Sequence, residues 1–178
     1  MESVRIIRES RVIVLNGEIN DDVAEQVCVA LLELEAENPS KEITLMLNSG
    51  GGSVIAGWQI IDTIRLIGNV ETVCVGMCAS MAAVILASGR KGKRSALMHS
   101  KMMIHQPIIG APMMQSADFQ IVADELSRSK KELYDFISDC TGKPFAQIEA
   151  DCDRDHWLTA QEALDYGLID YIVSKENR

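Results

Sequence analysis

Thr72-Val-Cys-Val-Gly-Met-Cys-Ala-Ser-Met-Ala-Ala-Val-Ile-Leu-Ala87 is the stretch that decides the fold of this chain. A β-branched run, Thr72 to Val75, enters it, and an unbroken small and apolar run, Met81 to Ala87, leaves it. The pattern predicts a strand, a tight turn through Gly76, and a buried helix with Ser80 in its first turn. A hydroxyl there lies near unpaired backbone N–H groups and the positive end of a helix dipole. Such surroundings stabilise the negative charge that grows on an attacked carbonyl. Taken alone, Ser80 reads first as a helix N-cap, since serine is a leading cap residue, and only the residues downstream reverse that reading.

Outward from this segment the elements alternate. Arg11 to Leu15 predicts a strand ended by Asn16-Gly17. Asn20 caps a helix whose first turn carries Asp21 and Asp22, and Asn38-Pro39 stops it. Ile43 to Leu47 is a second strand, and Asn48-Ser-Gly-Gly-Gly-Ser53 joins it to a helix from Val54 to Ile67. Lys93 to Met98 and Met102 to His105 read as strands, and Ser116 to Cys140 as a long helix ended by Thr141-Gly142. Thr159 and Glu162 form a capping box for a last helix closing at Gly167, with a final strand over Ile169 to Val173. Strands alternating with helices mark an α/β domain.

The 178 residues suit one domain with a substantial core, and no repeat or linker divides them. Hydrophobic residues make up 47% and aromatics only 4%, so the core is aliphatic and methionine-rich. A net charge of −9 argues against nucleic acid or an anionic membrane as the main partner. The basic cluster Arg90 to Arg94 reads as a solvated turn. Met1 to Ser10 has no apolar segment of signal-peptide type, and the apolar run around Met77 to Ala87 is too short for a bilayer. Five cysteines, an odd number, point to reduced thiols and a cytoplasmic setting. Cys74 and Cys78 with His99 would make a poor metal site, because no second cysteine pair supports it.

Gly50-Gly51-Gly52 lies, like Ser80, between a strand and a helix. It reads as a phosphate cradle, as half of an oxyanion hole, or as a plain flexible turn. The first is weak, because the Lys-Ser/Thr of a P-loop is missing. His105 ends an apolar strand, where it is either a core histidine or a base, while His99 and His156 sit in polar, turn-like surroundings. Asp155 precedes the capping box, a place where a solvated loop acid is equally at home. Together these residues run serine, histidine, aspartate in chain order, each at the edge of an element. In such a triad His105 takes the Ser80 proton and Asp155 holds the imidazole tautomer.

The motifs resemble those of the Clp protease proteolytic subunit (ClpP) family of self-compartmentalised serine peptidases. The resemblance spans Arg11 to Val173. It rests on Leu-Glu-Ala-Glu-Asn-Pro (34 to 39), Asn-Ser-x-Gly-Gly (48 to 52), Ala-Ser-Met (79 to 81), Lys-Gly-Lys-Arg (91 to 94) and Met-Ile-His-Gln-Pro (103 to 107). Arg154-Asp155 ahead of the motif at 158 to 170 completes it. It implies a ClpP/crotonase-like α/β fold with repeated ββα units and a protruding handle, here about residues 106 to 142. It also implies Ser80 as nucleophile, His105 as base, Asp155 as orienting acid, and the Gly52 and Met81 amides as oxyanion hole. Substrate would lie as an added strand along Gly51, Ser53, Val54 and Ile108. The resemblance further implies heptameric rings stacked in pairs as a tetradecamer, with unfolded polypeptide as substrate and an AAA+ unfoldase of the Clp type as partner. No metal or cofactor belongs to this chain; ATP would be used by the unfoldase.

The pattern departs from the family in three places. The segment before Arg11, residues 1 to 10, is short. The positions aligned with the ATPase-docking pocket, Thr44, Met46, Leu66 and Ser95, carry no aromatic. The strand after His-Gln-Pro, Ile108 to Gln115, is one residue longer and contains Pro112, which lacks a ladder donor. These departures, with Arg154 beside Asp155, lead to the expectation that triad alignment depends on assembly, with altered inter-ring geometry. They also raise a paralogous ring as a further partner. Two other classes remain at this point: a non-catalytic accessory ring subunit, and a crotonase-type acyl-coenzyme A enzyme.

Overall fold

The computed structural model describes residues 3–108 and 118–174. Its centre is an eight-stranded sheet with path order β1-β2-β3-β4-β5-β8, in which β6 pairs with β4 and β7 with β6. The strands are β1 (Val4–Ile7), β2 (Val12–Asn16), β3 (Ile43–Ser49), β4 (Val70–Ala79), β5 (Arg94–Ala96), β6 (Lys101–Ile104), β7 (His156–Thr159) and β8 (Tyr171–Ile172). From β2 to β8 along the path every neighbour is parallel, and β6 is parallel to β4. Among the described residues only β1 on β2 and β7 on β6 are antiparallel.

A 3-10 turn (Arg8–Ser10) and the helices α1 (Asp21–Glu37), α2 (Val54–Ile67), α3 (Met81–Ala87), α4 (Phe119–Thr141), α5 (Phe145–Asp151) and α6 (Ala160–Tyr166) complete the described order. Their ends follow local chemistry. The Asn20 side chain accepts from Val23 N–H to cap α1, and Ser53 accepts from Ala56 N–H to cap α2. Gly68 closes α2 in the left-handed conformation. Thr159 and Glu162 form the expected capping box at α6. α1 packs on α2, α2 on α3 and α3 on α4, enclosing an aliphatic core built from Ile13, Leu45, Leu47, Ile60, Ile61 and Ile85 among others. The α/β class with a long helix extending from the sheet matches the expected fold. The first half of α4 carries no buried residue; burial begins at Leu133.

Several local expectations differ from the structure. No turn breaks the chain at Gly76: β4 continues to Ala79, accommodating Gly76 at φ +92 in a bulge. The first ten residues contain a strand, β1, that edges the sheet. α5 and β7 were not foreseen, and His156, expected in a turn, begins β7. Arg94, read as part of a solvated turn, is 1% exposed in its side chain and paired with Asp170. Ile109 to Gln115, with Pro112, and the start of the long helix at Ser116 lie outside the described residues.

Candidate active site

β3, β4 and β6 run parallel, so the segments that leave their carboxyl ends emerge on one side of the sheet. Open α/β sheets form their ligand crevices at those ends. The glycine turn follows β3, Ser80 follows β4, and His105 follows β6. Three segments far apart in sequence are thereby brought to one rim.

Ser80 occupies the N-cap position of α3 with φ +55 and ψ −128, and its side chain makes no cap bond. Its amide donates to Met103 C=O at 2.8 Å, tying it to β6. The hydroxyl instead meets His105 Nε2 at 2.8 Å. The Ser80 side chain is thus engaged by His105 rather than by the first turn of α3.

His105 is carried one residue beyond β6, and Asp155 one residue before β7. The last antiparallel pair of that ladder is Ile104 with His156, so the next step sets His105 across from Asp155. Asp155 Oδ1 lies 3.5 Å from His105 Nδ1, with the histidine side chain 13% exposed and the aspartate 60%. That separation is longer than a good N–H···O bond. Gln106 clamps the same corner: its amide donates to Cys152 C=O at 2.7 Å and its Nε2 to Asp153 C=O at 2.9 Å. His99, the other turn histidine, is not among the residues lining this site.

At Gly51 and Gly52 no larger residue fits. A Cβ on Gly51, at φ +99, would sit 2.7 Å from Ser80 Cβ, and one on Gly52 would sit 2.1 Å from Ile19 C=O. The Ile19 bridge uses Gly51 C=O and the Ser53 amide, which leaves the Gly52 amide outside that pairing. Met81 opens α3, so its N–H has no intrahelical acceptor. Both amides belong to residues lining a cavity of about 240 Å³ with Ser80, His105, Val54 and Ile108. The rest of its wall is apolar: Val84, Ile104, Pro107, Leu133 and Ile137. Sequence reading had not found Leu133 and Ile137, which reach the site only because α4 packs on α3. Among the described residues no cluster of side chains is suited to a metal ion, and no helix is long and apolar enough to cross a membrane.

Comparison with known proteins gives a consistent result. The chain matches the family described as Clp protease over residues 1–176. It is 51% identical over 169 residues to an ATP-dependent Clp protease proteolytic subunit of Porphyromonas gingivalis, covering 94% of this chain and 76% of that one. A protein of the same name from Bacteroides fragilis is 49% identical over 167 residues, with 93% and 80% covered. An ATP-dependent Clp protease proteolytic subunit 3 of Parasynechococcus marenigrum is 48% identical over 168 residues, with 94% and 84% covered.

Proposed function

The chain belongs to the Clp protease family and is a ClpP-type serine protease subunit, and from that premise we propose how its own residues perform the hydrolysis. Ser80 Oγ attacks the peptide carbonyl while His105 Nε2 takes its proton, and Asp155 holds Nδ1–H and steadies the charged ring. The Gly52 and Met81 amides receive the oxyanion. His105 then gives its proton to the leaving amine, and water, activated by the same imidazole, clears the acyl group from Ser80. The observation that carries this reading is the 2.8 Å contact between Ser80 Oγ and His105 Nε2, made by a serine that does not cap its own helix.

Extended substrate adds as a strand beside Gly51, Ser53 and Val54 on one side and Ile108 on the other, bound mainly through its main chain. The cavity beside Ser80 is smaller than the roughly 300 Å³ at which drug-sized sites begin, so it suits one side chain. Its Met81, Val84, Leu133 and Ile137 wall favours an apolar residue before the cut. We further infer a cytoplasmic, ring-forming protein, stacked as a tetradecamer, fed unfolded polypeptide by an AAA+ unfoldase of the Clp type that alone uses ATP, and open to pairing with a paralogous ring. The family and the relatives' names support that reading at the level of an oligomeric Clp protease. The loose Asp155 contact and its exposure support a triad that tightens on assembly.

The test is intact mass after a fluorophosphonate probe, with Ser80→Ala as control. One adduct per chain is expected, absent in the variant. A wild-type ring that takes no adduct would overturn the assignment of Ser80.

A further inference from the structure

β4 carries two cysteines that the peptidase chemistry leaves unused, one at each end of its bulge. On β3, Leu47 pairs with Cys74 and Ser49 pairs with Cys78. Four residues of β4 therefore advance only as far as two residues of β3, about 6.6 Å instead of the roughly 13 Å of a regular strand. Disulfides bridge Cα separations of about 4.4–6.8 Å. The pairing also fixes direction. Leu47 and Ser49 share the buried face of β3, so their partners Cys74 and Cys78, both fully buried, share it too.

The residues between them loop outward. Gly76 packs over Asn48, the Met77 amide donates to Asn48 Oδ1 at 3.2 Å, and the Gly76 amide donates to Ser100 Oγ at 3.2 Å. The two thiols also feel each other. Each S–H donates to a carbonyl, Cys78 to Leu47 at 3.6 Å and Cys74 to Lys101 at 3.8 Å; Cys78 nevertheless holds the Cys74 thiol below its ordinary value, while burial, then Cys74, holds Cys78 well above it. Gly76 is exposed and Val75 and Met77 are only half-buried, so the bulge is a thin cover whose opening admits a small oxidant.

We propose that Cys74 and Cys78 are a redox modification site, closed by hydrogen peroxide into an intramolecular disulfide across the β4 bulge. The Cys74 thiolate attacks one peroxide oxygen, breaking the O–O bond and releasing hydroxide, which takes a proton to become water. The Cys78 sulfur then attacks the resulting sulfenic acid, forming the S–S bond and expelling a second water. Two thiol protons and two electrons leave the protein, and a dithiol reverses the step by exchange.

The site is wired to the nucleophile. Cys78 and Ala79 pair with Met102 and Met103, and the Ser80 amide bonds Met103 C=O at 2.8 Å. Drawing Cys78 toward Cys74 pulls this strand end along its axis and shifts Ser80 against His105. This last link rests on the peptidase reading above; the disulfide itself does not.

Trypsin places both cysteines, and no other, on the peptide Leu66 to Arg90. Native protein is treated with peroxide, blocked with N-ethylmaleimide under denaturing conditions and digested. The expected peptide carries no maleimide, is about 2 Da lighter than the reduced form, and takes two maleimides after dithiothreitol. Turnover of a fluorogenic peptide falls about tenfold and returns with dithiothreitol, whereas Cys78→Ala keeps its rate under the same peroxide. Two maleimides on the treated wild-type peptide, or oxygen added at Cys74 without a cross-link, overturn the proposal. A disulfide that leaves turnover unchanged overturns the link to Ser80. Absent turnover in the reduced protein counts against the peptidase reading, and the maleimide count still decides the thiol pair.

Discussion

Ser80 holds its backbone at φ +55 and ψ −128, a conformation that glycine adopts freely and other residues avoid. The strain aims the hydroxyl out of the cap position and at His105. It predicts that Ser80→Gly unfolds at higher temperature than Ser80→Ala, by about 1 kcal/mol in stability, although both lose probe labelling. Thermal melts of the two variants decide it; equal midpoints would remove strain from the account. Asp155 is a softer case, since its carboxylate is 3.5 Å from the ring and largely exposed. Asp155→Asn should lower kcat by about a hundredfold or more in the assembled ring, because it presents the wrong tautomer partner. In the isolated protomer the loss should be smaller, and the difference between the two states is the quantity to measure. At this scale residue types were legible in the sequence: a serine before a small apolar run, a histidine at a strand end, an acid before a capping box. Whether Ser80 capped its helix was not, because a cap and a nucleophile occupy the same helical position and differ only in what the hydroxyl meets.

Between elements, the close approach of α2 and α3 depends on Gly57. A Cβ there would sit 2.2 Å from Met81 Cγ and 2.5 Å from its Cε. Gly57→Ala should therefore cost about 1–3 kcal/mol and slow labelling of Ser80, since Met81 must move with the wall of the cavity. Gly68→Ala is the contrasting variant, because its Cβ would meet nothing and only the left-handed backbone at φ +75 resists it. About 1 kcal/mol of stability should be lost there, with labelling unchanged. Urea titrations and labelling rates, measured on both, separate a packing effect on the site from a general loss of stability. The α1, α2 and α6 boundaries were readable because Asn20, Ser53 and Thr159 cap them through bonds only a few residues long. β7 was not, because His156 to Thr159 has no strong alternation of its own and becomes a strand only by pairing with β6. The bulge at Gly76 escaped for a related reason: glycine signals a turn locally, while pairing with β3 and β6 keeps the strand running.

Across the molecule, Arg94 joins the sheet to the helical layer. It reaches Asp170 before β8 through Nε at 2.9 Å and Nη2 at 2.6 Å, and the Cys140 carbonyl at the end of α4 through Nη1 at 3.0 Å. Burial alone would raise the Asp170 carboxyl, but the Arg94 side chain and the Arg94 and Gly92 amides together hold it below its ordinary value. A carboxyl lower in the folded than in the unfolded state contributes stability that is complete above the unfolded value and lost as pH falls through the folded one. Asp170→Asn should thus cost about 3–5 kcal/mol at neutral pH, leaving a buried guanidinium unpaired. The gap between the variant and wild type should narrow only below about pH 4, as urea midpoints across pH would show. Local windows of the sequence suffice for the alternation of elements, the caps, the aliphatic core, and the candidates for acyl-transfer chemistry that the proposed mechanism uses. Folding is what brings the ends of β3, β4 and β6 to one rim, sets Asp155 across from His105, closes the cavity with α4, and buries an ion pair within a basic cluster. Those outcomes depend on contacts between residues dozens of positions apart, and their energies come from pairing and burial that no local window contains.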